Sequence, residues 1–227
     1  MNKSLKSFVL AVVSGVFLLA ARPAAHAQPY TFYFQADTGG QVTQDTDLKI
    51  FFGEPLAPNT KVVFDPGVRF GFLTGFRITE WFAVELETGI MANNIKSITG
   101  ASSVHNAYFS NSPLLVNARF QAPSRWWVCP FAGGGWGGSI SYLDVDDISI
   151  GNTSMDGWAS AGVFAYQAFG GVRFKINDRM GISVVYHYFA TTDSTFEADF
   201  TSGTSSDRLR FAGTETHAAS IAFDMTF

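Results

Sequence analysis

The chain has a single cysteine, Cys129, among 227 residues. No disulfide can form within it, so if it is exported its stability must come from strand pairing and closure rather than from covalent staples. Charge is also scarce: 15% of residues are Asp, Glu, Lys or Arg, and the formal net charge is −4. A chain without a basic excess offers no electrostatic footprint for nucleic acid. Beyond residue 27 no apolar run reaches the roughly 20 residues that a membrane-spanning helix needs. Aromatic residues and glycine are plentiful instead, with 23 Phe, 7 Tyr, 5 Trp and 22 Gly. If so much aromatic surface faces lipid, the backbone must close on itself as a sheet without edges.

The amino-terminal segment reads as a secretory leader. Lys3 and Lys6 precede an apolar run from Phe8 to Ala21, and Ala25-His26-Ala27 supplies a small-x-small cleavage pattern. The run is too short to span a bilayer, and Arg22 and Pro23 end it. Cleavage after Ala27 leaves residues 28–227, expected to form one domain, and moves the formal charge from −4 to −7 because Lys3, Lys6 and Arg22 are lost.

Period-two alternation predicts eight strands, at about 30–41, 66–78, 82–92, 107–121, 126–143, 158–176, 180–192 and 213–227. Thr79-Glu80-Trp81, the segment Ala122 to Arg125 and Asn177-Asp178-Arg179 form tight turns. The other connections, about 42–65, 93–106, 144–157 and 193–212, are long and rich in Ser, Thr, Asp, Asn and Gly. Such alternation of short and long connections is the layout of an all-β, eight-stranded, antiparallel up-and-down transmembrane barrel, with short periplasmic turns and four long extracellular loops.

Each strand has two unlike faces. Phe70, Phe72 and Phe76, then Val84 and Leu86, then Leu114, Val116 and Phe120 fall on one side. Arg69, Arg77, Glu85, Glu87, Arg119, Arg173 and Asp224 fall on the other, with Asn117, Gln167, Lys175 and His187. Both signs of charge would share the lumen as a compensating polar network. Alternation alone also fits a soluble barrel with its apolar face inward. Three features favour the membrane version: too many Phe for a narrow interior, Trp81, Trp126, Trp127, Tyr186 and Tyr188 near strand ends, and the aromatic carboxy-terminus.

The last strand, HAASIAFDMTF, ends on Phe227 and resembles the terminal strand of bacterial outer-membrane barrels. FAYQAFGGVRFKINDRMGISVVYHYF, from Phe164 to Phe189, and WWVCPFAGGGWGGSISY resemble strand signatures of the outer-membrane β-barrel domain family, which includes opacity-type surface antigens and the barrel of outer membrane protein A. The resemblance implies residence in the bacterial outer membrane among lipid and lipopolysaccharide, with Phe227 as the signal read by the barrel assembly machinery. The family is functionally mixed, so the likeness speaks for fold more than for activity.

No motif argues strongly for chemistry. Gly133 to Gly138 satisfies a G-x-G-x-x-G pattern, but strand rather than helix follows, so glycines easing a bend of the wall explain it better than phosphate binding. Asp144, Asp146 and Asp147 open the third loop, where Ser149 replaces the glycine of a calcium loop, and a solvated acidic face is the simpler reading. His187 and His217 are the strand histidines, and neither stands in the His-x-Ser arrangement of lipid A deacylases. No catalytic residue, cofactor site or metal site is therefore expected, and no extracellular ligand is legible. The leading expectation is a non-enzymatic barrel with a surface structural or adhesin-like role. A narrow porin-like conduit, with Phe51, Phe52 and Pro55 lining an apolar mouth, is the alternative, and a lipid A-modifying enzyme comes third.

Overall fold

The computed structural model describes residues 31–51, 54–123, 126–150, 153–197 and 208–227. The leader and its cleavage site lie outside them. Eight long strands form the wall: β1 (Thr31–Thr43), β2 (Gly67–Arg77), β3 (Phe82–Ile98), β4 (Tyr108–Gln121), β5 (Val128–Ile150), β6 (Thr153–Lys175), β7 (Met180–Thr191) and β8 (Glu215–Thr226). Each pairs antiparallel with its sequence neighbours. β8 then returns to β1, with Tyr33 opposite Thr226 and Thr43 opposite Thr216, which closes the ring and leaves the wall no edge.

Tight turns gather at one end. In the β6–β7 turn, Asn177 Oδ1 accepts the backbone amides of Arg179 and Met180, each at 2.9 Å, the self-capping that makes Asn a turn residue. By the short-turn rule this end is periplasmic. A band about 25 Å tall needs roughly ten tilted strand residues, so about a dozen residues of β5 and β6 stand beyond it on the outer side.

That outer part departs from the loops expected from sequence. Residues 93–98 and 144–150 are strand, and the third connection narrows to the hairpin between Ile150 and Thr153. Short strands at Thr46–Phe51, Lys61–Phe64, Ala101–His105, Ser194–Glu197 and Arg208–Phe211 knit the other connections together. The acidic residues Asp144, Asp146 and Asp147 thus belong to β5. A register shift opposite Met155 and Gly157 interrupts the alternation there, as a bulge does by placing an extra residue on one strand.

The strands exchange polarity along their length. Within the band Phe70, Phe72, Leu86, Leu114, Val116, Val184, Ile221 and Phe223 are exposed, while Arg69, Glu85, Glu87, Asn117, Arg119 and Gln167 are buried. Above it the same strands turn Phe109, Leu143, Val145 and Ile148 inward and leave Asp144 and Asp146 exposed. These inward residues join Leu48, Phe51, Val62, Phe64, Ile95, Phe196, Leu209 and Phe211 in one apolar core. The outer part is therefore a folded cap with a core of its own.

Candidate functional site: a filled lumen beneath a folded cap

The lumen is built in layers, because inward side chains from paired strands meet at common heights. Nearest the periplasm, Arg173 on β6 grips Asp224 on β8 through two nitrogens, at 2.8 and 2.5 Å. Arg77 on β2 lies half-buried with its guanidinium 5.4 Å from the centre of the Tyr33 ring, and makes no ion pair among the described residues. One layer up, Glu85 on β3 accepts from the Tyr33 hydroxyl and from Arg119 Nη1, the latter at 3.2 Å. Arg119 also covers the Phe131 ring at 3.7 Å, where the negative π-face faces its cation.

The central layer turns on Arg69, which donates to Asp37 at 3.0 Å and to Glu87. Glu87 also accepts from Asn117 at 2.7 Å and from Gln167 at 2.5 Å. Asp37, Glu85, Glu87 and Asp224 thus stand against Arg69, Arg77, Arg119 and Arg173, four formal charges of each sign. Asp37, Tyr33 and Gln35 are lumen residues that sequence reasoning did not single out, although alternation along β1 marks them, since all three occupy odd positions of one strand. Above this network Met91, Leu115, Ala165 and Phe189 form an apolar plug, then come buried polar residues in which Gln41 and Thr43 donate to Asn93 at 2.5 and 2.9 Å and Ser141 donates to Asn111 at 2.7 Å, and the cap core stands beyond them.

Glycine makes the filling possible. A methyl group on Gly133 would come within 2.5 Å of the Phe169 ring, and one on Gly135 within 2.0 Å of Asn117 Oδ1. Both glycines lie within continuous strand, with no helix after them to hold a phosphate. An interior space of about 10 Å³ remains beside Glu85, Arg119 and His187, room for about one water.

His187 and Ser220 come together across β7 and β8, at 3.2 Å between Nε2 and Oγ. A nucleophile and base would stand at this distance. Here both are buried, His187 Nδ1 has no orienting partner, and the adjoining space admits no substrate. The pair packs the lumen. His217 faces outward, between the Tyr186 hydroxyl at 2.6 Å and Gln44 at 2.9 Å. Among the described residues no three His, Cys, Asp or Glu side chains converge on a metal position. Phe51 is buried in the cap core rather than lining a mouth, Pro55 is exposed, and Phe52 lies outside the described residues.

Outside, aromatic residues ring both borders of the apolar band. Trp81 stacks on Phe120 at 6.0 Å and Trp127 leans on Phe174 at the periplasmic border. Trp136, Tyr166 and Tyr186 mark the outer one, with the half-buried Tyr188 against the Tyr166 ring. Such rings sit where hydrocarbon meets headgroups. Phe227 is exposed on the periplasmic border, its amide donating to Phe32 at 2.9 Å.

The family described as outer membrane protein beta-barrel domain matches residues 9–227. The chain belongs to that family. As an outer membrane barrel, it resides in the bacterial outer membrane. Among solved structures it is similar to Neisserial surface protein A, at 11% identity over 88% of this chain and 100% of that one, with a TM-score of 0.55. OprG of Pseudomonas aeruginosa matches at 14% identity over 89% and 98%, with a TM-score of 0.56. AlkL, whose structure was determined in DMPC bilayers, matches at 15% identity over 91% and 95%, with a TM-score of 0.53. At these identities the likeness concerns the fold. No curated protein matches the sequence.

Proposed function

We propose that residues 28–227, freed of a leader at 1–27, form a non-enzymatic outer-membrane barrel with a surface structural role, whose wall carries a folded cap into the extracellular space. The observation that carries this reading is the filled lumen. Arg69, Arg119 and Arg173 each meet a carboxylate across the interior, and Met91, Leu115, Ala165 and Phe189 pack as an apolar layer above them, an arrangement that opposes a water-filled pore. Insertion is read through Phe227 by the barrel assembly machinery. The cap presents the surface-exposed, adhesin-like part of the molecule.

Planar-bilayer recording of the refolded mature protein tests the sealed lumen. The expected record shows no unitary steps at either polarity. Stable, reproducible steps of one size would refute the reading and restore the porin-like alternative.

A further inference from the structure

The cap carries a row of side chains that neither its core nor the lumen uses. Asp144 on β5 is paired with Tyr108 on β4 and with Trp158 on β6, so the three stand side by side on the outward face. Tyr108 is 45% exposed and Trp158 71%, and Asp144 is exposed between them. None of the three has a side-chain hydrogen bond, ion pair or ring partner among the described residues. The row below holds Ser110, Tyr142 and Ser160 in the same registers. The bulge that ends regular pairing just above the row sets its upper limit, and Asn106 closes that side by donating to Asp146 at 2.9 Å.

We propose that this row is a saccharide-binding platform, occupied by the sugar part of outer-leaflet lipopolysaccharide in the same membrane. Two aromatic rings flanking a free carboxylate suit a pyranose: its C–H face packs on a negative π-face, and its hydroxyls donate to the carboxylate. Strand spacing puts Tyr108 and Trp158 about 10 Å apart with Asp144 between them, a span along which a short oligosaccharide extends. The choice of occupant follows from position. The face looks sideways, parallel to the membrane plane, so it meets neighbours anchored in that membrane rather than a glycan approaching from above. Asp144 lies eight residues beyond the girdle residue Trp136 on the same strand. That raises it about 20 Å above the apolar band, at the level of sugars rather than of acyl chains. An uncompensated carboxylate at that height repels lipid phosphates and accepts hydroxyl protons, which selects neutral sugar over phosphate.

The proposal deepens the surface-structural reading and rests on it. Conductance, which tests that reading, does not depend on these three side chains. The experiment titrates the refolded full mature protein in detergent with dephosphorylated core oligosaccharide, freed of lipid A, from the native host's lipopolysaccharide. Binding is followed by calorimetry. Trp158→Ala is expected to weaken binding about tenfold, and Tyr108→Ala and Asp144→Asn by similar factors. Trp136→Ala, at the girdle, should bind as the parent does. Heat-modifiable migration establishes that every variant is folded. Unchanged affinity in folded Trp158→Ala overturns the proposal, as does equal loss in Trp136→Ala. Failure of the parent to bind the freed oligosaccharide overturns it too, whether or not intact lipopolysaccharide binds.

Discussion

Removing one lumen carboxylate should cost stability in proportion to what its arginine has left. Glu85→Ala strips Arg119 of its only ion-pair partner among the described residues, leaving Gln35 at 3.5 Å and the Phe131 ring. It also orphans the Tyr33 hydroxyl. Glu87→Ala is milder, because Arg69 keeps Asp37 at 3.0 Å and Gln167 still donates to Asn117 at 2.9 Å. Breaking a buried ion pair from one side costs about 3 to 5 kcal/mol, so Glu85→Ala is expected near about 5 and Glu87→Ala near about 3. Val84→Ile, on the exposed face of the same strand next to Glu85, should stay within about 0.5 kcal/mol of the parent. The assay is reversible urea unfolding in phospholipid vesicles, followed by tryptophan emission and heat-modifiable migration. Equal costs for the two glutamates would refute the argument from residual partners. A cost for either as small as that of Val84→Ile would refute the ion-pair network itself.

Two further outcomes follow from other parts of the molecule. Phe227→Asp should lower outer-membrane levels of the protein in cells while leaving refolding in detergent near the parent's, because the ring sits on the outer surface and packs no lumen layer; normal cellular levels would remove its role as an assembly signal. In the cap, hydrogen bonding from Lys49, at 2.7 Å, with Arg210 and the Gly213 amide, holds the Asp193 carboxyl below the ordinary Asp range. A lowered folded-state pKa stabilises above the unfolded value and is lost as pH falls through the folded one, so proteolysis of the cap in vesicles should quicken modestly below about pH 4, and Asp193→Asn should abolish that acceleration.

Much of the wall is legible in the residues themselves. Phe70, Phe72 and Phe76 alternate with Arg69 and Arg77 over an unbroken stretch of β2, and a period of two leaves no other arrangement. The choice of partner within the lumen is less legible. Glu85 and Glu87 share a face with Arg69, Arg77 and Arg119, and only the stagger of the strands matches Glu87 to Arg69 and Glu85 to Arg119 while leaving Arg77 over Tyr33. The cap was hidden for a different reason. Its apolar residues also alternate, as in Val62 and Phe64 or Leu209 and Phe211, but in runs of four residues set among Ser, Thr, Asp and Gly. Bulges at Val63/Phe64 and Ala101/Ser103 then shift the phase between runs. Such short pieces carry too little periodicity to outweigh a loop-like composition.

Closure of β8 on β1 ties the safety of the whole wall to its final residues. Eleven registered positions join the two strands, from Tyr33 opposite Thr226 to Thr43 opposite Thr216. Until they meet, two rows of unpaired amides and carbonyls face each other across a gap that hydrocarbon cannot solvate. A chain cut short before β8 would keep both rows open along β1 and β7, however well its other strands paired. Length is thus proofread by the bilayer itself: a truncated copy has nowhere in lipid to hide its ends, and only the finished ring becomes a passenger the membrane will hold.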